Sequence, residues 1–107
     1  MRRGTLCWVN LEPANPPEFG KIRPALIISN SELNKTLPSL VALPISSRGN
    51  EIWPLRIELK CPNLKRSFVV LPGIRQISKD RIHEVIGNLT DKELDRIYSA
   101  LNIYLSD

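Results

Sequence analysis

The chain has 107 residues, enough for one hydrophobic core and too few for a second, so residues 1–107 are read as a single domain. Hydrophobic residues make up 42% and charged residues 24%, with no low-complexity tract, which excludes a disordered chain; no run of about twenty apolar residues is present to cross a membrane as a helix. Lys and Arg outnumber Asp and Glu by 15 to 11, and the resulting charge of +4 favours a polyanionic partner without naming one.

Charged residues open the sequence and no apolar stretch follows them, so a cytoplasmic protein is expected. Residues 5–11 read as a first strand. Residues 12–20 hold Pro13, Pro16 and Pro17, which remove three backbone donors, and must form a loop. Residues 24–29 are a continuous apolar run, as expected of a strand covered on both faces. Residues 30–38 are polar, with room for one helical turn. Residues 40–46 form a third strand in which Pro44 must fall where no ladder donor is needed, at an edge or a bulge.

A polar turn over 47–50 leads to residues 55–60, where apolar and charged side chains alternate without a miss, a strand with one wet face. Residues 67–71 are a further apolar strand ended by Pro72-Gly73, and 74–77 are extended. The short apolar pattern over 82–86 does not separate strand from helix. Thr90 and Glu93 match a capping box, and Leu94, Ile97, Tyr98, Leu101 and Leu105 then recur at helical spacing. The fold class is therefore mainly β with a C-terminal helix, in the manner of a small barrel. Cys7 and Cys61 form no C-x-x-C and suit small buried hydrophobes, while His83 has no partner ligand nearby in sequence, so no metal or cofactor is expected.

In the same order, Trp8-Val9-Asn10-Leu11-Glu12-Pro13, Gly20-Lys21-Ile22-Arg23-Pro24, Pro44-Ile45-Ser46-Ser47, Ile74-Arg75-Gln76-Ile77, Arg81-Ile82 and Gly87-Asn88-Leu89 resemble the MazF/PemK/Kid toxins. The ordered combination, spanning essentially the whole chain, carries the likeness. It implies an SH3-like barrel of the MazF/CcdB type, a homodimer, and metal-independent cleavage of single-stranded RNA at short preferred sequences. It also implies a type II toxin–antitoxin system, with a cognate antitoxin whose disordered C-terminal tail occupies the same groove.

By that resemblance Arg23 and Ser46 are the catalytic pair. A guanidinium offers phosphate a planar fork that stays charged, and a hydroxyl can donate to a phosphoryl oxygen; the family usually has threonine where Ser46 stands. Glu18, Lys21, Ser47, Arg48 and Arg75 are the expected substrate-binding residues. Trp8 is expected in the core and Trp53 at the surface, where it could stack on a base. Three departures stand out: Pro72-Gly73 replaces a common Asp-Gln, which removes an aspartate base from that strand; Val70 stands where some relatives have an arginine; and Pro16-Pro17-Glu18-Phe19 replaces Gly-Ser-Glu-Gln. Two other readings remain: a CcdB-like gyrase poison, which relies on a tryptophan-bearing C-terminal tail where this sequence has Tyr104-Leu105-Ser106-Asp107, and a barrel that binds RNA or protein without catalysis.

Overall fold

Short strands separated by proline- and polar-rich turns pair in antiparallel fashion in the computed structural model, which describes all 107 residues. The elements are β1 (Thr5–Asn10), β2 (Ile22–Ile27), α1 (Ser31–Thr36), β3 (Ser39–Ser46), β4 (Arg56–Leu59), β5 (Ser67–Val70), β6 (Arg75–Ser78), β7 (Ile82–Asn88) and α2 (Asp91–Tyr104). The strands follow the order β4-β5-β3-β2-β1-β7, and β6 pairs with the outer half of β3. The sheet curls without closing, because β4 and β7 do not pair. Across that gap the Asn63 side chain donates to the Ile86 carbonyl at 3.0 Å. The result is a small, incompletely closed barrel.

Successive strand residues point to opposite faces, and this alternation divides the interior in two. One cluster gathers Leu6, Leu26, Leu43, Ile45, Ile57 and Val69 under Leu94, Ile97 and Leu101 of α2. The other gathers Cys7, Val9, Leu11, Ala25, Ile27, Ala42 and Ile77. Each large apolar side chain buried in this way contributes about 1.5–3 kcal/mol. Burial raises the Cys7 thiol to about 11, so it behaves as a small hydrophobe, and neither cysteine is in a disulfide.

The helix begins where the capping box places it. Thr90 Oγ1 accepts from the Glu93 N–H at 3.2 Å, and Glu93 Oε1 accepts from the Thr90 N–H at 3.3 Å. The Tyr98 hydroxyl donates to the Ile28 carbonyl, tying α2 to the end of β2. No helix is long and apolar enough to cross a membrane.

Pro44 lies inside a central strand, not at an edge. Its N–H would have to point at a third strand, yet β3 changes partner at this point: Ala42 is opposite Arg75 of β6, whereas Ile45 is opposite Val69 of β5. Proline occupies the switch, where no ladder donor is required. A 3-10 turn, Leu71–Gly73, carries the chain from β5 to β6 across that position. Gly73 is needed there because a Cβ would overlap the Pro44 ring. The Pro72-Gly73 departure thus has a structural cause in the crossing it permits.

Candidate active site

The loop between β1 and β2 is drawn together at its neck. Leu11 N–H donates to Lys21 O at 2.9 Å, and Lys21 N–H donates to Glu12 Oε1 at 2.5 Å. Lys21 adopts the left-handed φ of 65°, uncommon for a side-chain-bearing residue, and Gly20 before it leaves room for the Glu12 carboxylate that a Cβ would strike. Two arginines hold the same neck from the far side. Arg75 Nη1 donates to Leu11 O at 3.3 Å, and Arg81 Nη1 donates to Asn10 O at 3.3 Å and to Glu12 O.

Arg23 leaves this neck as the second residue of β2, opposite Val9. Its Nε donates to Gly20 O at 3.0 Å, and its Cζ lies 5.1 Å over the Phe19 ring. No carboxylate is within ion-pair distance of it; the three ion pairs present are Lys35–Glu32, Arg66–Glu58 and Arg96–Glu51. A guanidinium oriented by a carbonyl and a ring, with no anion of its own, is poised for an external one.

Ser46 ends β3, opposite Phe68 of β5. The β2–β3 register pairs Ala25 with Pro44, and counting two residues beyond this last ladder pair aims Arg23 at Ser46 on the same face. Ser46 Oγ accepts from the Arg48 N–H at 3.2 Å. With a lone pair so occupied, the hydroxyl proton remains free to donate elsewhere.

Two clefts lie near Arg23, the first lined by it and the second by the Phe19 ring that it covers. One, of about 330 Å³, is lined by Lys21, Arg23, Ser47 and Lys65 with Trp8 and Pro24. The other, of about 270 Å³, is lined by Glu18, Phe19, Pro44, Gly73 and Arg75. Lys21 and Ser47 are therefore beside Arg23 as expected, and Arg48 is exposed on the adjoining turn. Glu18 and Arg75 belong to the second cleft but are already engaged: Glu18 Oε1 accepts from the Asn15 N–H at 2.8 Å, and Arg75 holds the loop neck.

Trp8, expected in the core, is only partly buried. It stands opposite Pro24 where the sheet runs out, and so it becomes a wall of the first cleft. Trp53 is 45% exposed beneath Arg96, and His83 is exposed on β7. A larger groove, of about 680 Å³ between β4 and α2, is lined by Glu51, Glu58 and Glu93 as well as Lys60, Lys92 and Arg96. Its acids offset its bases, which gives a polyanion no reason to prefer it.

Residues 2–105 match the family described as PemK-like, MazF-like toxin of type II toxin-antitoxin system. The chain belongs to that family. An endoribonuclease MazF from Staphylococcus saprophyticus is 33% identical, over 98% of this chain and 91% of the relative. The crystal structure of MazF from Deinococcus radiodurans superposes with a TM-score of 0.86 at 24% identity, covering 98% of this chain and 96% of that one. An endoribonuclease in complex with its cognate antitoxin, from a mycobacterial species, superposes with a TM-score of 0.82 at 22% identity, covering 98% and 94%. At these identities the two structures speak for the fold.

Within this MazF-like barrel, three features escaped sequence reasoning. Arg81 pins the loop neck, Phe19 carries the Arg23 guanidinium, and Arg56 donates through Nη2 to the Arg48 carbonyl, bracing the turn after Ser46. Only the adjacency of Phe19 to the G-x-x-R-P run offered any signal in the sequence.

Proposed function

We propose that this MazF-like toxin is a cytoplasmic endoribonuclease that cuts single-stranded RNA at preferred short sequences, without a metal ion. The RNA 2′-oxygen attacks the adjacent phosphorus and the bond to the 5′-oxygen breaks. The proton lost from the 2′-hydroxyl is balanced by the one gained at the leaving oxygen, giving a 2′,3′-cyclic phosphate and a 5′-hydroxyl. Arg23 neutralises charge growing on the phosphoryl oxygens, and Ser46 donates a hydrogen bond to one of them. Lys21, Ser47 and Arg48 hold flanking phosphates. Glu18 and Arg75 act through the loop that lines the site.

The observation that carries this reading is that the arginine of the G-x-x-R-P run has no carboxylate partner and, by continuation of the β2–β3 register, shares a sheet face with a hydroxyl whose proton is free. Incubating the protein with a defined single-stranded RNA in EDTA tests it. New 5′-hydroxyl ends are expected, with Arg23→Ala slowing single-turnover cleavage by about 100- to 1,000-fold. An unchanged rate in Arg23→Ala, or loss of wild-type activity in EDTA, overturns the scheme. A non-catalytic RNA-binding barrel is favoured by Pro72-Gly73 alone, and would retain the RNA without new ends.

The toxin acts as a homodimer and is restrained by a cognate antitoxin whose disordered C-terminal tail lies in the RNA groove. Exposed Ile52, Trp53 and Leu55 beside α2, and Ile103, Tyr104 and Leu105 at its end, supply apolar surface for association. Sedimentation equilibrium should return twice the 12.1 kDa chain mass; a monomer at micromolar concentration contradicts the dimer.

A further inference from the structure

Phe68 is the anomaly of the sheet. It is fully buried, yet it belongs to neither apolar cluster, because its neighbours Val69 and Ile57 face the core and it points the other way. On that outer face its cross-strand partners are Ser46 on β3 and Glu58 on β4. Two guanidinium groups lie over the ring. Arg66 Cζ lies 4.9 Å and Arg56 Cζ 5.7 Å from its centroid. Arg66 is anchored a second time by Glu58 at 3.4 Å, yet 61% of its side chain remains exposed. Arg56 Nε is buried with no acceptor, and its other end is committed to the Arg48 carbonyl beside Ser46.

A guanidinium backed by an aromatic ring and fixed at its edge by a carboxylate loses little freedom when a second flat group settles on its open side. Unpaired nucleobases are such groups, and they stack on arginine planes as well as on rings. The spacing suits a polynucleotide. Ser46, Phe68 and Glu58 occupy three adjacent strands, so at about 4.8 Å per strand the cluster reaches roughly 10 Å from the hydroxyl, about one nucleotide away.

We propose that Arg66, supported by Phe68 and Glu58, is a stacking platform for the unpaired base of a nucleotide flanking the scissile phosphate. The inference rests on the endoribonuclease reading and adds a base subsite to it. Stacking is tolerant of base identity, so this subsite contributes affinity and alignment, while sequence preference arises elsewhere.

The test compares a single-stranded RNA that the protein cuts with two versions abasic at one or other nucleotide flanking the cleaved bond. For the wild type, one abasic RNA should lose about 5- to 150-fold in kcat/KM, the range for one stacked base. In Arg66→Ala that loss should shrink to within about twofold. Arg66→Lys keeps the charge and discards the plane, so its abasic penalty should be as small as in alanine; restoration of that penalty by lysine would mean that charge alone, not a flat surface, holds the base, and would overturn the proposal. Equal abasic penalties in wild type and Arg66→Ala overturn it too.

A binding measurement separates this inference from the reading beneath it. An uncleavable RNA with a 2′-deoxy attacking nucleotide should bind the wild type about 5- to 150-fold more tightly than its version abasic at the affected position, and Arg66→Ala should bind the two within about twofold of each other. Cleavage of the parent RNA with no such difference in binding sinks the platform alone, whereas RNA neither bound nor cut sinks both.

Discussion

The two faces of the β3–β5–β4 strands make opposite use of the same backbone. Inward, Leu43, Ile45, Val69 and Ile57 pack under α2 in the larger apolar cluster. Outward, Ser46, Phe68, Glu58 and Arg56 alternate with them, and their partners are guanidinium groups and the backbone N–H and carbonyl of Arg48. Because period two locks each residue to its face, the core side sets the strand positions and the outer side inherits them as chemistry. Stability and function should therefore separate by face.

The largest effect on folding belongs to the inner face. Ile45→Ala is expected to lower unfolding free energy by about 2–5 kcal/mol in denaturant titration, from lost burial and the cavity left behind. A loss under 1 kcal/mol would break the division between faces. Gly73→Ala comes next. Its new Cβ must displace the stiff Pro44 ring, at a cost of about 1–3 kcal/mol measurable as a fall in Tm, and the shift disturbs the cleft that Gly73 lines.

Tyr98→Phe removes the hydroxyl that binds the Ile28 carbonyl and should cost about 0.5–1.5 kcal/mol, with cleavage intact. The smallest effect lies outside both faces, where Arg96 and the Glu58 N–H hold the Glu51 carboxyl below its ordinary value. A carboxylate so lowered contributes stability above the ordinary range and loses it as pH falls through the lowered value. Glu51→Gln should thus be slightly less stable than wild type near neutrality, with the difference vanishing in acid. A difference that widened on acidification would contradict the sign.

Much of this plan was legible in the residues. Alternation over 55–60 marked β4 and its wet face, and Thr90 with Glu93 marked the start of α2, because both patterns are local. The 82–86 pattern could not be resolved from sequence; β7 is a half-exposed strand, irregular in its pairing with β1, so its burial follows no clean period. Pro44 suggested an edge or a bulge because a central strand normally needs its donor, and nothing local announces that β3 exchanges β6 for β5 there. Trp8 was expected in the core because position in the strand does not reveal where the sheet ends.

For the site, the G-x-x-R-P run identified Arg23 and the loop, while the guanidinium cover of Phe68 brings together residues 56, 66 and 68 from two strands and a turn. Such a cluster exists only after folding, and a buried aromatic in an apolar run reads as core. The loop arginines Arg75 and Arg81 were legible as charges but not as staples, since their acceptors lie more than sixty residues away in sequence.

Single-turnover cleavage of one RNA by Arg23→Ala, Ser46→Ala and the double variant tests most directly whether guanidinium and hydroxyl serve one phosphate. If they do, the double variant should be only slightly slower than the slower single variant, because removing either dismantles a shared unit. Losses that multiply in the double variant would contradict the account.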